Sequence, residues 1–206
     1  KGLVCFFVTG PNFRTHYTLI AEDIRKKILQ QEGITASAGI SINKFLAKVA
    51  SGWNKPNGIF VITPSNIEQF VINLDVSKIF GVGKVTLRKL NDLNVKTCSD
   101  LQKLSLQELH NHFGRFGYIL YNQARGIDER PVISNRERKS LSRETTFLQD
   151  TIDKKVIENA IQDLFNKVFL QLSELNLNSK IKALFIKIKY HDFTKRTIEV
   201  SQQTFS

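Results

Sequence analysis

The sequence predicts an α+β chain of several domains, because three stretches of different texture follow one another. Residues 1–63 alternate apolar, strand-like runs with amphipathic helical segments in the order βαβαβ. Residues 64–125 contain only short helical segments between small loops, which predicts an all-α module. Residues 139–206 follow the order βαββ, the first part of an α+β sandwich. The polar, aperiodic segment 126–138 is interpreted as the linker between the last two domains.

Composition narrows the possible partners. The 206 residues include 30 Lys and Arg but only 19 Asp and Glu, and the net charge of +11 favours a polyanion. No apolar run approaches the roughly 18 residues that a membrane span requires. Two cysteines are too few for a disulfide framework or a zinc site, which fits a reducing, cytoplasmic setting. Because Met is absent even from position 1 and the last residues fall inside a predicted strand, we expect a piece of a longer protein.

In the first domain, apolar periodicity defines five elements. The run LVCFFV consists of β-formers and is typical of a strand buried on both faces. The helix after it carries its apolar residues at helical spacing. The next strand consists of small residues, which allow another segment to approach it closely. Ser41 is expected to cap the second helix. The predicted elements are strand 3–8, helix 17–31, strand 34–38, helix 41–51 and strand 59–62.

The all-α module contains two signals for helix starts and one glycine-containing hairpin. Thr97 with Asp100, and Ser105 with Glu108, have the spacing of capping boxes. The segment IFGVGK at 79–84 lies between two helical segments, which is the pattern of a helix-hairpin-helix. The predicted helices are 65–73, 84–93, 98–104, 106–113 and 115–124.

This hairpin has the chemistry of a phosphate site. Gly81 and Gly83 permit a tight turn, through positive φ or close approach, and expose successive backbone N–H groups. The following helix directs its positive N-terminus the same way, and Lys84 adds charge. No base edge is contacted in such an arrangement, so DNA binding is expected to be independent of sequence. The alternative is an ordinary glycine-containing turn between helices.

The last domain carries its lysines in an informative pattern. In the predicted strand KIKALFIKIKY, successive side chains point to opposite faces. Strict alternation therefore puts Lys180 and Lys182 on one face, and Lys187 and Lys189 on the other. Either a β-bulge near 184–186 gathers all four ammonium groups on one surface, or both faces meet water at the strand ends. The predicted elements are strand 139–147, helix 153–175 and strands 180–190 and 196–205.

Several segments closely resemble the Y family of translesion DNA polymerases, above all its bacterial DNA polymerase IV branch. The matching segments are ITASAGISINKFLAKVASGWNKPNGIFVITP, similar to the palm, VSKIFGVGKVTLRKL, similar to the thumb hairpin, and HFGRFGYILYNQARGIDERPV and RKSLSRETTF, similar to the region between thumb and little finger. The similarity is collinear from about residue 17 to the end of the chain. It implies a partial βαβαβ palm, an all-α thumb with the helix-hairpin-helix, and a partial βαββ little finger.

The resemblance implies DNA-directed DNA synthesis in the complete protein, with Mg²⁺ ions held by three palm carboxylates. Alignment on Val8-Thr9 puts Gly2 and Leu3 where two of those carboxylates are expected. The fingers, the end of the little finger and the tail that binds the sliding clamp are also absent from this sequence. We therefore expect no catalytic residue and no metal ligand in this chain, and predict that it is inactive alone.

Two other classes of function share some of these sequence features. A non-catalytic, sequence-independent DNA-binding protein would share the hairpin and the basic strands and differ only in the carboxylates. An unrelated α/β enzyme is disfavoured, because the sequence has no Walker-type loop, nucleophile elbow or HExxH motif.

The resemblance also assigns partners and residues. The partners are primer-template DNA and the incoming dNTP, and the chain is expected to be a monomer. Lys55 matches the lysine that reaches the dNTP triphosphate, whereas without the resemblance a plain turn with a solvated lysine is the simpler interpretation. Lys187, Lys189, Lys195 and Arg196 are also assigned to DNA, although long side chains on strands often only solvate an edge. The other residues matched to DNA binding are Gly81, Val82, Gly83, Lys84, Thr86, Lys139, Ser140, Arg143 and Thr145.

Other conspicuous residues have simpler explanations. His110 and His112 are two positions apart on a predicted helix and point in different directions, so a shared metal is not expected. Cys98 lies near a helix start, which lowers a thiol pKa, but no base is recognisable nearby. Trp53, beside the turn at Lys55, is expected to pack against the protein rather than to stack on a base.

Overall fold

The computed structural model describes residues 13–133, 138–175 and 181–201 of the chain. Its internal contacts divide it into two compact units, Lys1–Ser134 and Asn135–Ser206, so the division falls within the segment predicted to be a linker. The predicted first strand of the chain lies outside the described residues. No helix in the described ranges is both long enough and apolar enough to cross a bilayer.

The first unit begins with a small α/β layer made of α1 (Phe13–Glu32), β1 (Ala38–Ile40), α2 (Lys44–Trp53) and β2 (Ile59–Val61). The two strands pair in parallel, from Ala38 opposite Ile59 to Ile40 opposite Val61. Helix α2 is the crossover between them, as parallel pairing requires. The mixed helix-and-sheet class predicted for this region is therefore present.

Strand β1 packs closely on α2, and it lies further along the chain than predicted. The prediction placed it at 34–38, whereas pairing begins at Ala38. A Cβ atom on Gly39 would lie 2.1 Å from the amide nitrogen of Ser51, so only glycine fits between strand and helix. Small residues did indicate a close approach, but the approach occurs just after the segment they were assigned to.

Helix α2 is capped by Asn43, and the prediction that Ser41 caps it is wrong. The Asn43 Oδ1 atom accepts the N–H of Leu46 at 2.9 Å. Ser41 is buried instead, and its hydroxyl donates to the carbonyl of Ile62 at 3.0 Å. Its side chain therefore joins the ends of the two strands and takes no part in starting the helix.

A second cap for α2 comes from far along the chain. The Asp128 carboxylate accepts the N–H of Phe45 at 3.0 Å, and Arg130 donates to the same carboxylate from Nε at 2.6 Å and from Nη2 at 2.8 Å. The Asp128 side chain is only 3% exposed. Asn43 adds a hydrogen bond from its amide to the Gly126 carbonyl at 2.7 Å. The first part of the predicted linker is thus packed on α2 within the first unit.

The other helices of this unit are α3 (Ile67–Ile72), α4 (Lys84–Asp92), α5 (Cys98–Gln102), α6 (Leu106–Phe113) and α7 (Arg115–Gln123), with 3₁₀ turns at Pro64–Asn66 and Val76–Lys78. Both predicted capping boxes are present, with Thr97 and Ser105 at the N-cap positions. Phe45 of α2 and Leu120 of α7 belong to one buried cluster. The α/β layer and the helical module therefore share a hydrophobic core.

The second unit contains α8 (Lys154–Glu174), β3 (Ala183–Lys189) and β4 (Lys195–Ser201). Asp153 caps α8 by accepting the N–H of Lys155 at 2.8 Å. The strand predicted over 139–147 is not formed, because no neighbouring strand pairs with this segment in the described ranges. Where the prediction gave βαββ, the described order is αββ.

Strands β3 and β4 form an antiparallel hairpin with continuous register, from Ala183 opposite Ser201 to Lys189 opposite Lys195. The bulge considered near residues 184–186 is therefore absent. One face carries Phe185, Lys187 and Lys189 with their partners, and the other face is mostly apolar. The apolar face consists of Leu184, Ile186, Ile188, Ile198 and Val200 with one charged residue, Arg196.

The carboxylate of Asp128 predicts a pH-dependent stability. Burial by itself raises the pKa of Asp128, but the hydrogen bonds from Arg130 and from the Phe45 amide outweigh it and hold the pKa below its ordinary value. A carboxyl whose pKa is lower in the folded state stabilises the fold fully above its unfolded pKa of about 3.9. This contribution is lost as the pH falls below that value toward the folded-state pKa.

We therefore expect Asp128→Asn to lower the free energy of unfolding by roughly 1–3 kcal/mol at pH 7. Urea unfolding followed by circular dichroism measures the difference between variant and parent, which should shrink as the pH drops below about 4. Glu129→Gln, at the exposed neighbouring position, is the matched control and should change little. A difference that stays constant with pH would contradict the role of the ionised carboxylate.

The thiol of Cys98 is predicted to be inert in the folded chain. Burial, helped by the nearby negative charge of Asp75, raises the pKa of Cys98 to about 12, which outweighs its position at the start of α5. In a Cys5→Ser variant, the thiol reagent DTNB at pH 8 should react with the native chain at least about 10³-fold more slowly than with the urea-unfolded chain, following the thiolate fraction. Equal rates in the two states would refute this.

Candidate nucleic-acid interface

The hairpin before α4 is a tight turn packed on the helical core. Ile79 is buried, and its carbonyl accepts the N–H of Val82 at 3.1 Å. Gly81 has φ of +99°, and a Cβ atom there would lie 2.8 Å from the ring of Phe116. Glycine at this position is therefore required both by the backbone conformation and by contact with α7. Because the amide of Val82 is used inside the turn, the donors left for a ligand begin after it.

Gly83 differs from Gly81 in its backbone conformation. Its φ of −95° and ψ of −177° are extended, so of the two predicted reasons for glycine here, positive φ is wrong and close approach remains. A Cβ atom on Gly83 would meet nothing within 4 Å. Gly83 is the N-cap of α4 and supplies no side-chain cap to the first amides of the helix. The N-terminus of α4 is thus open on the side where Gly83 has no side chain.

Charged side chains surround this open helix end. Lys84, the first residue of α4, is exposed, and Thr86 is half-buried in the same first turn. Arg88 is also exposed and follows Lys84 by one helical turn, so both cations share a face of α4. Arg88 is not among the residues predicted from the sequence, although it lies four residues after Lys84. The arrangement suits an anion held by backbone N–H groups and flanking cations.

Lys55 lies on an exposed turn between α2 and β2. The peptide bond between Lys55 and Pro56 is cis. Trp53, just before the turn, packs against Phe60 and Phe70 with ring centroids 5.6 and 4.9 Å away, as predicted. No ion pair to Lys55 is found among the described residues, so its ammonium group is available to a ligand.

Three of the lysines assigned to the last domain lie together on one face of the β3–β4 hairpin. Lys189 is paired directly with Lys195, and Lys187 lies two residues away on the same face. The ammonium group of Lys189 is 4.7 Å from the ring centroid of Phe193, over its face. Arg196 pairs with Ile188 and lies on the opposite, apolar face. The structure therefore separates Arg196 from the other three.

The residues assigned to the segment before α8 are exposed and irregular rather than part of a strand. Lys139, Ser140 and Thr145 are exposed. The guanidinium of Arg143 donates from Nη2 to Gln171 Oε1 at 2.9 Å. Residues 143–145 line a shallow groove of about 460 Å³ against α8. Its lining also includes the carboxylates of Glu144, Asp163 and Glu174, so the groove has mixed charge.

Carboxylates that would suit a divalent ion do not converge in the described residues. Searched over those ranges, the structure has no group of three His, Cys, Asp or Glu side chains placed to hold a metal. Asp23 on α1 instead forms an ion pair with Lys27 at 2.7 Å, both exposed to solvent. The segment with Gly2 and Leu3, where the resemblance places two metal-binding carboxylates, lies outside the described residues.

Three family models match the chain in sequence order. Residues 7–52 match the impB/mucB/samB family, residues 77–128 match the thumb domain of DNA polymerase iota, and residues 138–206 match the C-terminal domain of the impB/mucB/samB family. The thumb match includes the hairpin and α4, which confirms the predicted helix-hairpin-helix module.

Curated relatives and solved structures agree with these matches. The chain is 46% identical over 182 residues to DNA polymerase IV of Protochlamydia amoebophila (strain UWE25), covering 88% of this chain and 52% of the relative. It is 47% identical, with 88% and 51% coverage, to DNA polymerase IV of Shewanella baltica (strain OS155 / ATCC BAA-1091). The chain thus spans about half the length of the curated relatives it matches.

Among solved structures, a Y-family DNA polymerase chimera, Dbh-Dpo4(243-245)-Dbh, superposes with a TM-score of 0.73 at 29% identity, covering 92% of this chain and 54% of the chimera. An insertion ternary complex of Dbh DNA polymerase gives 0.60 at 27% identity, with the same coverage. Sequence models, relatives and folds therefore agree, and the chain belongs to the Y family of DNA polymerases.

Proposed function

We propose that this chain is the part of a DNA-directed DNA polymerase for translesion synthesis that binds primer-template DNA and the triphosphate of the incoming dNTP. The observation that carries the proposal is the uncapped N-terminus of α4 behind Gly83, flanked by Lys84. The complete protein is proposed to work as a cytoplasmic monomer together with a sliding clamp. The alternative is a non-catalytic DNA-binding protein.

The hairpin supports binding to the sugar-phosphate backbone. The first N–H groups of α4 have no intrahelical partner, and no side chain caps them at Gly83. A phosphodiester oxygen is the right acceptor for such a row of donors, because the helix dipole and Lys84 both favour negative charge there. The contact involves no base edge, so it holds any sequence equally well. A polymerase that moves along a template needs a contact of this kind.

The β3–β4 hairpin supports a second phosphate contact. Like charges placed directly opposite each other destabilise a strand pair, yet Lys189 faces Lys195 with Lys187 beside them. A phosphate on this face would remove the repulsion between the three ammonium groups. We therefore assign Lys187, Lys189 and Lys195 to DNA as one set. Lys139, Ser140, Arg143 and Thr145 stay weaker candidates, because carboxylates line the same groove, and Arg196 lies on the other face.

Catalysis is proposed for the complete protein and not for this chain. The described residues do not fit a site for Mg²⁺, since they contain no convergent set of carboxylates. The residues present instead bind and orient. Lys55 would hold the triphosphate of the dNTP, and the hairpin would hold the primer strand.

The direct test is single-nucleotide primer extension by the purified chain with Mg²⁺, alongside binding to the same fluorescent primer-template. We expect binding whose affinity falls steeply with salt, because lysine–phosphate contacts release counterions, and no extension. A full-length DNA polymerase IV relative is the positive control for extension. Primer extension that co-purifies with the chain would refute the prediction that the chain is inactive alone. Absence of primer-template binding at low salt would refute the proposal as a whole.

Substitution of Gly83 tests the hairpin. Gly83→Val fits the extended backbone without a clash and fills open space at the N-cap of α4. We expect a loss of primer-template affinity of about 1–3 kcal/mol, the scale of a lost charge-assisted hydrogen bond. Because valine is a poorer N-cap than glycine, affinity is compared under conditions in which urea unfolding shows variant and parent to be fully folded. Gly52→Val, which also enters open space but lies on α2, is the matched control. Equal affinity of Gly83→Val and the parent at matched salt would count against phosphate binding by the hairpin.

A further inference from the structure

The guanidinium of Arg25 joins three separate parts of the first unit. Arg25 lies on α1, and its Nε donates to the Ala36 carbonyl at 2.7 Å, just before β1. Its Nη2 donates to both the carbonyl and the side-chain Oδ1 of Asn57. Asn57 belongs to the turn that carries Lys55, so one side chain links α1, the approach to β1 and this turn.

These contacts use the geometry of arginine rather than only its charge. Among the described residues Arg25 has no carboxylate partner, and all its acceptors are carbonyl or amide oxygens. A planar guanidinium directs several N–H donors at fixed angles and serves two acceptor sites at once. A lysine side chain at the same position is shorter and has a single ammonium group. It lacks the planar set of donors that lets arginine bond to Ala36 and Asn57 together.

Other residues of the same turn are bonded to the two strands, so its position affects the pairing of β1 with β2. The Gly58 carbonyl accepts the N–H of Ala38 at 2.9 Å, and the Asn54 side chain donates to the Ile59 carbonyl at 2.9 Å. Asn57 itself has φ of 56°, a left-handed conformation that asparagine adopts more readily than most residues other than glycine. The bonds from Arg25 hold both the backbone and the side chain of Asn57 in that conformation.

We propose that Arg25 is a positioning residue for Lys55, an inference that rests on the proposed binding of the triphosphate by Lys55. Lys55 lies between the end of α2 and Asn57. Arg25 fixes the position of Asn57, so the backbone from which the Lys55 side chain extends is held at both ends. The lysine then meets the triphosphate without first ordering its own turn, a cost that otherwise subtracts from affinity.

The turn itself is tested by hydrogen exchange of the Ala38 amide, whose acceptor is the Gly58 carbonyl of the turn. We expect Arg25→Gln to raise the exchange rate of this amide at least tenfold, and Arg25→Lys to do nearly the same. Neither side chain can bond to Ala36 and Asn57 at the same time. Lys26→Gln removes the same charge from the exposed neighbouring position and should leave the rate unchanged. Unchanged protection in Arg25→Gln would overturn the proposal.

The ligand side is tested with inorganic triphosphate as the probe, titrated into the full 206-residue chain and followed by ¹⁵N–¹H NMR. We expect Lys55→Gln to abolish most of the binding and Arg25→Gln to weaken it about tenfold. The double variant should bind no more weakly than Lys55→Gln alone, because Arg25 acts through Lys55. Full affinity in Arg25→Lys would mean that charge alone is needed, and it would overturn the positioning role.

The two failures are distinguishable. If Lys55→Gln weakens triphosphate binding but Arg25→Gln does not, the positioning role of Arg25 is refuted while the role of Lys55 stands. If Lys55→Gln has no effect, the proposed role of Lys55 is refuted, and the positioning of Lys55 by Arg25 is refuted with it, whatever the exchange data show about the turn.

Discussion

The first unit depends on one buried carboxylate at the start of one helix. Asp128 accepts the N–H of Phe45 across 83 residues of sequence, with its side chain 3% exposed. Arg130 balances the charge with two hydrogen bonds, and its guanidinium carbon lies 5.9 Å from the ring centroid of Phe80 beside the hairpin. The carboxylate therefore accepts a free N–H at the start of α2 and connects this helix, through Arg130, to the hairpin before α4.

This connection explains how the turn at Lys55 and the hairpin before α4 are held by one framework. Helix α2 begins at the contact with Asp128 and ends just before Lys55, and it lies in the same buried cluster as the helices behind the hairpin. Both turns are exposed and irregular, as binding segments usually are, but each follows or precedes a helix whose position is fixed by the core. Arg25 bonds to the turn at Lys55 from α1. Gly81 lies within the hairpin and gives it its positive φ and its close contact with α7.

Interactions between residues close in sequence could be predicted, and those between distant residues could not. The capping boxes at Thr97 and Ser105 were predictable, because donor and acceptor lie three residues apart. The cap at Asn43 was assigned to Ser41, because nothing local shows that the Ser41 hydroxyl bonds to Ile62. The role of Asp128 was missed for the same reason. The strand predicted over 139–147 failed because its β-formers require a partner strand that no local pattern supplies. The two glycines between helical segments located the hairpin correctly, but only the backbone angles separate the roles of Gly81 and Gly83.

The two glycines of the hairpin have different explanations: Gly81 is explained by the stability of the fold, and Gly83 by the proposed binding. Gly81 is required by the fold, since its positive φ and its contact with Phe116 exclude a side chain. Gly83 is under neither constraint, because its backbone is extended and its surroundings are open. A residue that the fold does not require, and whose missing side chain leaves a helix end accessible, is explained by something that approaches from outside. A phosphate fits that description, and because phosphate is the same in every nucleotide, the proposed contact would not depend on the DNA sequence.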